Sequence, residues 1–385
     1  MPLQPPSTLE GNERKTFTGV VWNINTSKTC RRCLNSPAFA PKPTILKVIA
    51  LNFTYLRSQL FTMSYHGITI STSKEAGEVT KAQFEEILTE FFRISPIQAT
   101  SFNRDPSIER LVIEDCLTHG LDRERSIHAA KTSTMLAELT FPLHPREVKI
   151  AIAQYTAYAI EVDDMGHKFL DEVRSFRRDM LLGELQSPLL RSCKAILSEL
   201  DQHYDQFCSD KFTTSMINYF ATSVIEFEMN EEFTATKTSP KFPGYFRAMS
   251  GNTEPYGCFV LCRDAFPPEA VVLYLQAASD LIDFVNLVND LISFYKESVV
   301  LTERHNYVYQ RAITQGISVH EVLRSLPSEI METIVNIKSI FSADLTLSKY
   351  MDAFIHGYLC FHISCPRYKI SQLNIPTLNR PTFTK

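Results

Sequence analysis

The chain has 385 residues, 44% apolar and 21% charged, with a formal net charge of −4. That length can bury a large core, and the slight acidity argues against nucleic acid as a partner. Only 12 residues are Gly, about 3% of the chain against an ordinary ~7%. Folds that spend glycine on strand turns or phosphate loops are therefore disfavoured, and an all-α fold is expected. No run reaches the ~18 apolar residues of a membrane span, so no stable membrane insertion is expected. Nine scattered cysteines, an odd count, fit reduced thiols in the cytoplasm.

Residues 1–50 stand apart. Six of the 20 prolines fall between Pro2 and Pro43. Seven Lys or Arg face two acids there, a surplus of five positive charges that leaves −9 on the remainder. No hydrophobic periodicity runs through the segment, and the apolar face of a transit peptide is absent, so a disordered extension is expected. Cys30 and Cys33 have the spacing of half a zinc site, but no matching second pair follows.

Farther on, Phe84, Ile87, Leu88 and Phe91 recur at i, i+3, i+4 and i+7 and predict an amphipathic helix. Thr80 and Gln83 form its capping box, and Pro96 closes the segment. A second helix starts at Pro145, in its first turn, and runs through Ile150, Tyr155 and Tyr158 to Asp163. Further helical segments are expected over 170–208, 211–230, 268–298, 317–342 and 347–363. The segment from Pro268 to Ser298 would be about 45 Å long at 1.5 Å per residue. Cys258 and Cys262 have helical spacing and read as small packing residues. No repeat or second change of composition divides residues 63–370, which read as one helical domain.

Two clusters carry chemistry. Glu161-Val-Asp163-Asp164-Met-Gly-His167 ends an otherwise apolar helix. Adjacent carboxylates beside Tyr158, Ile160 and Val162 would be costly without a cation, and hard oxygen ligands suit Mg²⁺. On its own the pair is a weak signal and reads more readily as a solvated helix end. The second cluster is more specific: Asn289, Ser293 and Glu297 sit at i, i+4 and i+8, along one stripe of a helix. An amide, a hydroxyl and a carboxylate suit Mg²⁺ and not zinc. Lys296 adds a cation, and Phe284, Val285, Leu287, Val288, Leu291 and Phe294 surround the stripe with apolar surface.

The run Val288-Asn-Asp-Leu-Ile-Ser-Phe-Tyr-Lys-Glu297 and the Asp163-Asp164 pair resemble fungal class I sesquiterpene cyclases of the trichodiene synthase family. His356-Gly-Tyr358, His362 and Arg367-Tyr368 are similar to that family's C-terminal diphosphate-binding helix. The resemblance covers about residues 75–375 and implies a single-domain class I terpenoid synthase bundle around a central active-site cavity. It implies that Asp163 bridges Mg²⁺ ions, that Asp164 pairs with Arg367, and that Asn289, Ser293 and Glu297 chelate a third ion. It also implies that Arg247 senses diphosphate and that Lys296, Arg367 and Tyr368 bind its oxygens. The implied substrate is farnesyl diphosphate, cyclised to a hydrocarbon or an alcohol, and a homodimer is suggested. A carbocation also needs a dry cavity with aromatic faces. Tyr158, Phe284, Tyr358 and Phe361 are the candidates, since the chain has 26 Phe and 15 Tyr but one Trp.

Three departures from the family pattern stand out. His167 occupies a position that often holds an acid, and few residues follow Tyr368. Matching the motifs makes residues 1–62 an extra segment, as a misplaced gene start would, ahead of a domain at 63–375 and a tail at 376–385. Two other readings stay open. A chain-elongating prenyl diphosphate synthase normally carries two Asp-rich motifs, and an inactive helical protein could simply bind prenyl diphosphates.

Overall fold

The computed structural model describes residues 78–229, 235–376, 378 and 380–384. The extension expected over 1–62 and the Cys30–Cys33 pair lie outside the described residues. Helix α1 (Lys81–Ile94) opens on the reciprocal Thr80–Gln83 capping box and buries Phe84, Ile87, Leu88 and Phe91. A short strand, β1 (Ser101–Asn103), precedes α2 (Pro106–Thr118), where Asp105 caps the first turn and Pro106 occupies a position that needs no N–H donor. Helix α3 (Arg123–Thr140) buries Ser126, Thr132, Ser133, Thr134 and Thr140 beside its alanines and leucines. Those small polar residues blur its apolar stripe, which is why periodicity missed it. They also let α4 (Arg146–Met165) pack closely, and α3 against α4 is the broadest helix contact. Pro145 is the N-cap of α4 and not part of its first turn.

The single segment expected over 170–208 is two helices and the start of a third. After a 3₁₀ turn, Gly166–Phe169, helix α5 (Leu170–Leu182) ends on Gly183 at φ 75°, a left-handed backbone that glycine adopts without strain. Helix α6 (Pro188–Leu200) follows, and α7 (Gln206–Met229) starts before 211. Two short helices unforeseen in the sequence come next, α8 (Phe242–Ser250) and α9 (Glu254–Cys258). The break between them holds Asn252 at φ 48°.

Helix α10 (Ala270–Phe294) is the long central element, but its last turns are not α-helical: Tyr295–Val300 is a π-helix. The α10–π segment is long and apolar enough to cross a bilayer, yet Phe284, Val288, Leu291 and Ile292 are fully buried in the bundle, which makes it the core helix. Helices α11 (Tyr307–Gln315), α12 (Val319–Phe341) and α13 (Leu345–Ser364) complete the bundle. A Cβ on Gly357 would lie 1.8 Å from the Leu139 carbonyl, so glycine is what lets α13 cross the end of α3. The chain then straps back. Lys81 donates to the Gln372 carbonyl, Glu85 accepts from the Asn374 N–H, and β2 (Thr382–Thr384) pairs in parallel with β1. This two-stranded pair is the sheet found among the described residues of an otherwise all-α protein.

Candidate active site

The C-terminal end of α4 delivers Asp163 and Asp164 to a cleft beside a 3₁₀ turn, Pro366–Tyr368. Arg367 donates to both: Nη2 lies 3.2 Å from Asp163 Oδ2 and 3.2 Å from Asp164 Oδ1. Burial works against the Arg367 charge, but the two aspartates outweigh it and hold the guanidinium firmly protonated. Loss of solvent raises the Asp163 carboxyl although its side chain is 64% exposed; Arg367 opposes the rise and Asp164 adds to it.

Across the cleft, α10 presents Asn289 and carries the buried Ser293 one turn on, and the π-helical turn presents Lys296 and Glu297. The sequence reading placed Glu297 on a continuous α-helical stripe. The wider π turn rotates less per residue and re-aims the carboxylate and the neighbouring lysine, whose charges lie 3.3 Å apart. Arg247 reaches in from α8, donating from Nε to Asp290 Oδ1 at 2.8 Å and from Nη2 to Asn289 Oδ1 at 2.9 Å. Burial pushes the Asp290 carboxyl up to about 6, although Arg247 opposes it. The Asn289 amide nitrogen is spoken for on the other side, by His362 Nε2 and by the Tyr368 hydroxyl, each at 3.3 Å. Ser293 differs: it is 1% exposed and its Oγ has no partner.

Two cavities meet at these residues. An outer vestibule of about 440 Å³ gathers six carboxylates (Asp163, Asp164, Glu226, Asp290, Glu297, Glu303) and three cationic side chains (Arg247, Lys296, Arg367). Solvent reaches Glu226 and Glu303, yet the cleft desolvates their carboxyls and pushes each up to about 7, with Glu297 adding to the effect at Glu303. An inner cavity of about 190 Å³ shares Asp163, Arg247, Asn289, Lys296, Glu297 and Arg367 with the vestibule. Its deeper wall includes Leu136, Ile160, Val285, Tyr219, Tyr256, Tyr358 and Phe361.

The residues present fit Mg²⁺. An anionic substrate cannot enter a vestibule with twice as many carboxylates as cations unless further cations accompany it. Asn289 Oδ1, Ser293 Oγ, the Glu297 carboxylate and Asp163 are hard oxygen donors, and the orphaned Ser293 hydroxyl is a buried group in need of a partner. Among the described residues no three His, Cys, Asp or Glu side chains converge to hold a metal ion by themselves, so the candidate set depends on the amide and hydroxyl oxygens of Asn289 and Ser293.

The family model described as "Trichodiene synthase (TRI5)" matches residues 112–375 of this chain. The chain belongs to the trichodiene synthase family. It is 31% identical over 300 residues to an (E)-beta farnesene synthase from Metarhizium brunneum, covering 77% of this chain and 91% of that one. A longiborneol synthase from Gibberella zeae is 27% identical over 244 residues, 62% of this chain and 71% of that one. Among solved structures, the linalool/nerolidol synthase of Streptomyces clavuligerus superposes with a TM-score of 0.57 at 11% identity, covering 69% of this chain and 99% of that one. The bundle is therefore a class I terpene synthase fold.

Within this trichodiene synthase-family site, Asp163, Asp164, Arg247, Asn289, Lys296, Glu297, Arg367 and Tyr368 line one or both cavities. Ser293 lies one turn behind Asn289 on the same helix. Two aromatic candidates need correction. Tyr158 is buried, but its hydroxyl bonds Asp115 on α2, because the neighbouring positions Ala159 and Ile160 take the cavity face of α4. Phe284 packs against Phe354 and Tyr358 and leaves the wall to Val285. Tyr358 and Phe361 do line the cavity, joined by Tyr219 and Tyr256, which the sequence reading missed. His167 packs edge-on against Phe227, and His356 lies against Gln98 and Phe102. Glu226, Asp290 and Glu303 also went unassigned. Asp290 had a visible signal, a charge inside an apolar helix; Glu226 reaches the vestibule from the end of α7, and Glu303 from the turn after the π-helix, where its N–H bonds the Glu297 carbonyl.

Proposed function

We propose that this terpene synthase is a Mg²⁺-dependent sesquiterpene cyclase that ionises farnesyl diphosphate and cyclises the resulting cation. The observation that carries the reading is the junction itself. An acid-rich vestibule opens onto an aromatic cavity, and one ring of residues belongs to both. A substrate with a highly charged head and a hydrocarbon tail matches that division.

Asp163 and the Asn289–Ser293–Glu297 set would hold the metal, with three ions expected. When bound, Mg²⁺ neutralises charge that develops on the departing diphosphate. The chain's own residues do the rest. Arg247, Lys296, Arg367 and the Tyr368 hydroxyl bind diphosphate oxygens, preorganised donors aimed at the leaving group. Asp164 holds Arg367 in place through its paired contact. The inner cavity encloses the prenyl chain, and the faces of Tyr358, Phe361, Tyr219 and Tyr256 stabilise the cation as it folds. The seven described cysteines are buried and free, which fits action in the reducing cytoplasm.

The test is substrate choice, using the purified full chain with Mg²⁺. Farnesyl diphosphate should give cyclic C15 products, faster than geranyl diphosphate gives C10 ones. Formation of longer diphosphates from isopentenyl and dimethylallyl diphosphates would instead identify a chain-elongating synthase.

A further inference from the structure

A cavity that holds only a hydrocarbon cation has no use for polar side chains, yet three meet on one wall at the α8–α9 break. Asn252, Thr253 and Asn286 are 3%, 3% and 4% exposed, and all three line the inner cavity. Asn252 sits at φ 48°, an uncommon conformation for a residue with a Cβ. Its Oδ1 accepts from the Tyr155 hydroxyl at 2.8 Å and the Ser215 hydroxyl at 3.0 Å, which leaves Nδ2 buried without a partner. Turning the amide over would only transfer the vacancy to the oxygen. Thr253 Oγ1 donates to Asn286 Oδ1 at 3.2 Å. The Asn286 amide nitrogen has no protein partner among the described residues.

The Asn286 amide offers an N–H donor and the Thr253 hydroxyl an acceptor in one place, beside the buried Asn252 amide. Buried, unmade hydrogen bonds are costly, and a water molecule with two to four such partners relieves them. The shelf also lies next to the reacting end. Asn286 is one helical turn before Asn289, and a Cβ on Gly251 would fall 2.5 Å from Asn286 Oδ1 and 2.7 Å from Arg247 Nη1.

We propose that Asn252, Thr253 and Asn286 form a water site whose occupant captures the carbocation, so that the main product is a sesquiterpene alcohol. The proposal rests on the cyclase reading and narrows its product. The allylic C–O bond breaks with both electrons leaving on diphosphate. After the chain folds, a lone pair of the held water forms a new C–O bond to the cationic carbon. The resulting oxonium passes one proton to the departed diphosphate, leaving a neutral alcohol. No oxidant or further reactant enters.

The experiment incubates the full chain with farnesyl diphosphate and Mg²⁺ in ¹⁸O-water, and follows volatiles by gas chromatography–mass spectrometry and diphosphate by a release assay. The expected main product is a C15 alcohol carrying one ¹⁸O, above a no-enzyme control. The label marks attack on carbon, because cleavage at phosphorus would leave the alcohol unlabelled. Thr253→Val and Asn286→Leu should each lower the alcohol-to-hydrocarbon ratio roughly fivefold, a ratio that remains readable if turnover slows. Diphosphate release with hydrocarbons alone would overturn the water site and leave the cyclase standing, as would an unchanged ratio in both variants. Absence of both diphosphate release and volatiles would overturn the cyclase reading and the water site with it.

Discussion

The side-chain nitrogen of Asn289 lies 3.3 Å from His362 Nε2. His362 Nδ1 is 2.9 Å from the Tyr358 carbonyl, which can only accept, so Nδ1 carries the proton and Nε2 is the acceptor. Burial lowers the imidazole to about 4, which keeps it neutral near pH 7. The histidine therefore dictates which way the Asn289 amide faces and leaves Oδ1 on the cleft side. His362→Leu should raise the half-saturating Mg²⁺ concentration by about tenfold, and His362→Gln, which can still accept, should recover part of the loss. A Mg²⁺ titration of diphosphate release reads both.

Ser293→Ala separates metal binding from folding. The Oγ is buried and makes no bond, so its removal should leave the melting temperature unchanged or raise stability by up to about 1 kcal/mol. Affinity for Mg²⁺ in the presence of diphosphate should fall roughly tenfold by calorimetry. A loss of stability with intact metal affinity would contradict the assignment.

Gly251→Ala should damage the site and spare the helices. The new methyl would press on Asn286 Oδ1 at 2.5 Å, Arg247 Nη1 at 2.7 Å and the Arg247 carbonyl at 2.9 Å. Displacing a leaving-group contact by about 1 Å costs on the order of 100-fold in rate. Diphosphate release is expected to fall by that factor, with the circular dichroism spectrum retained.

Asp290 gives a pH signature. Burial raises its carboxyl from 3.8 to about 6 in the folded chain, so the folded state binds the proton more tightly than the unfolded one. Its contribution is most favourable below pH 3.8 and is lost as pH rises through about 6. Asp290→Asn does not titrate, so its stability relative to wild type should rise by about 2.4 kcal/mol between pH 4 and 7, measured without metal. Activity should fall nonetheless, because Arg247 loses the carboxylate that orients it. A stability difference flat across that range would contradict this account.

Local signals carried much of this far. The Thr80–Gln83 box marked α1, and the Asn289–Ser293–Glu297 spacing marked the segment of α10 and the π turn that brings Asn289 and Glu297 to both cavities. What escaped depends on tertiary context. Helix α3 buries a Ser/Thr-rich face because it packs close to α4, so it has little amphipathic signature. Tyr158 and Phe284 were each one residue from a cavity-facing position, and about 100° of helical rotation separates the two outcomes. The π turn at Tyr295–Val300 and the break at Asn252 change where side chains aim without leaving a periodic trace. Glu226 and Glu303 have no motif; folding brings Glu226 beside Arg247, and the turn after the π-helix brings Glu303 beside Glu297.

The most direct test is a paired assay of diphosphate release and volatile product from farnesyl diphosphate, with Mg²⁺ and with excess chelator, for wild type, Asn289→Ala and Glu297→Ala. The account predicts stoichiometric diphosphate and C15 terpene from wild type only when Mg²⁺ is present, and a loss of at least about 100-fold in each variant with helicity intact. Terpene formation that survives the chelator or either substitution would contradict the assigned metal site, and no terpene from wild type with Mg²⁺ would contradict the cyclase itself.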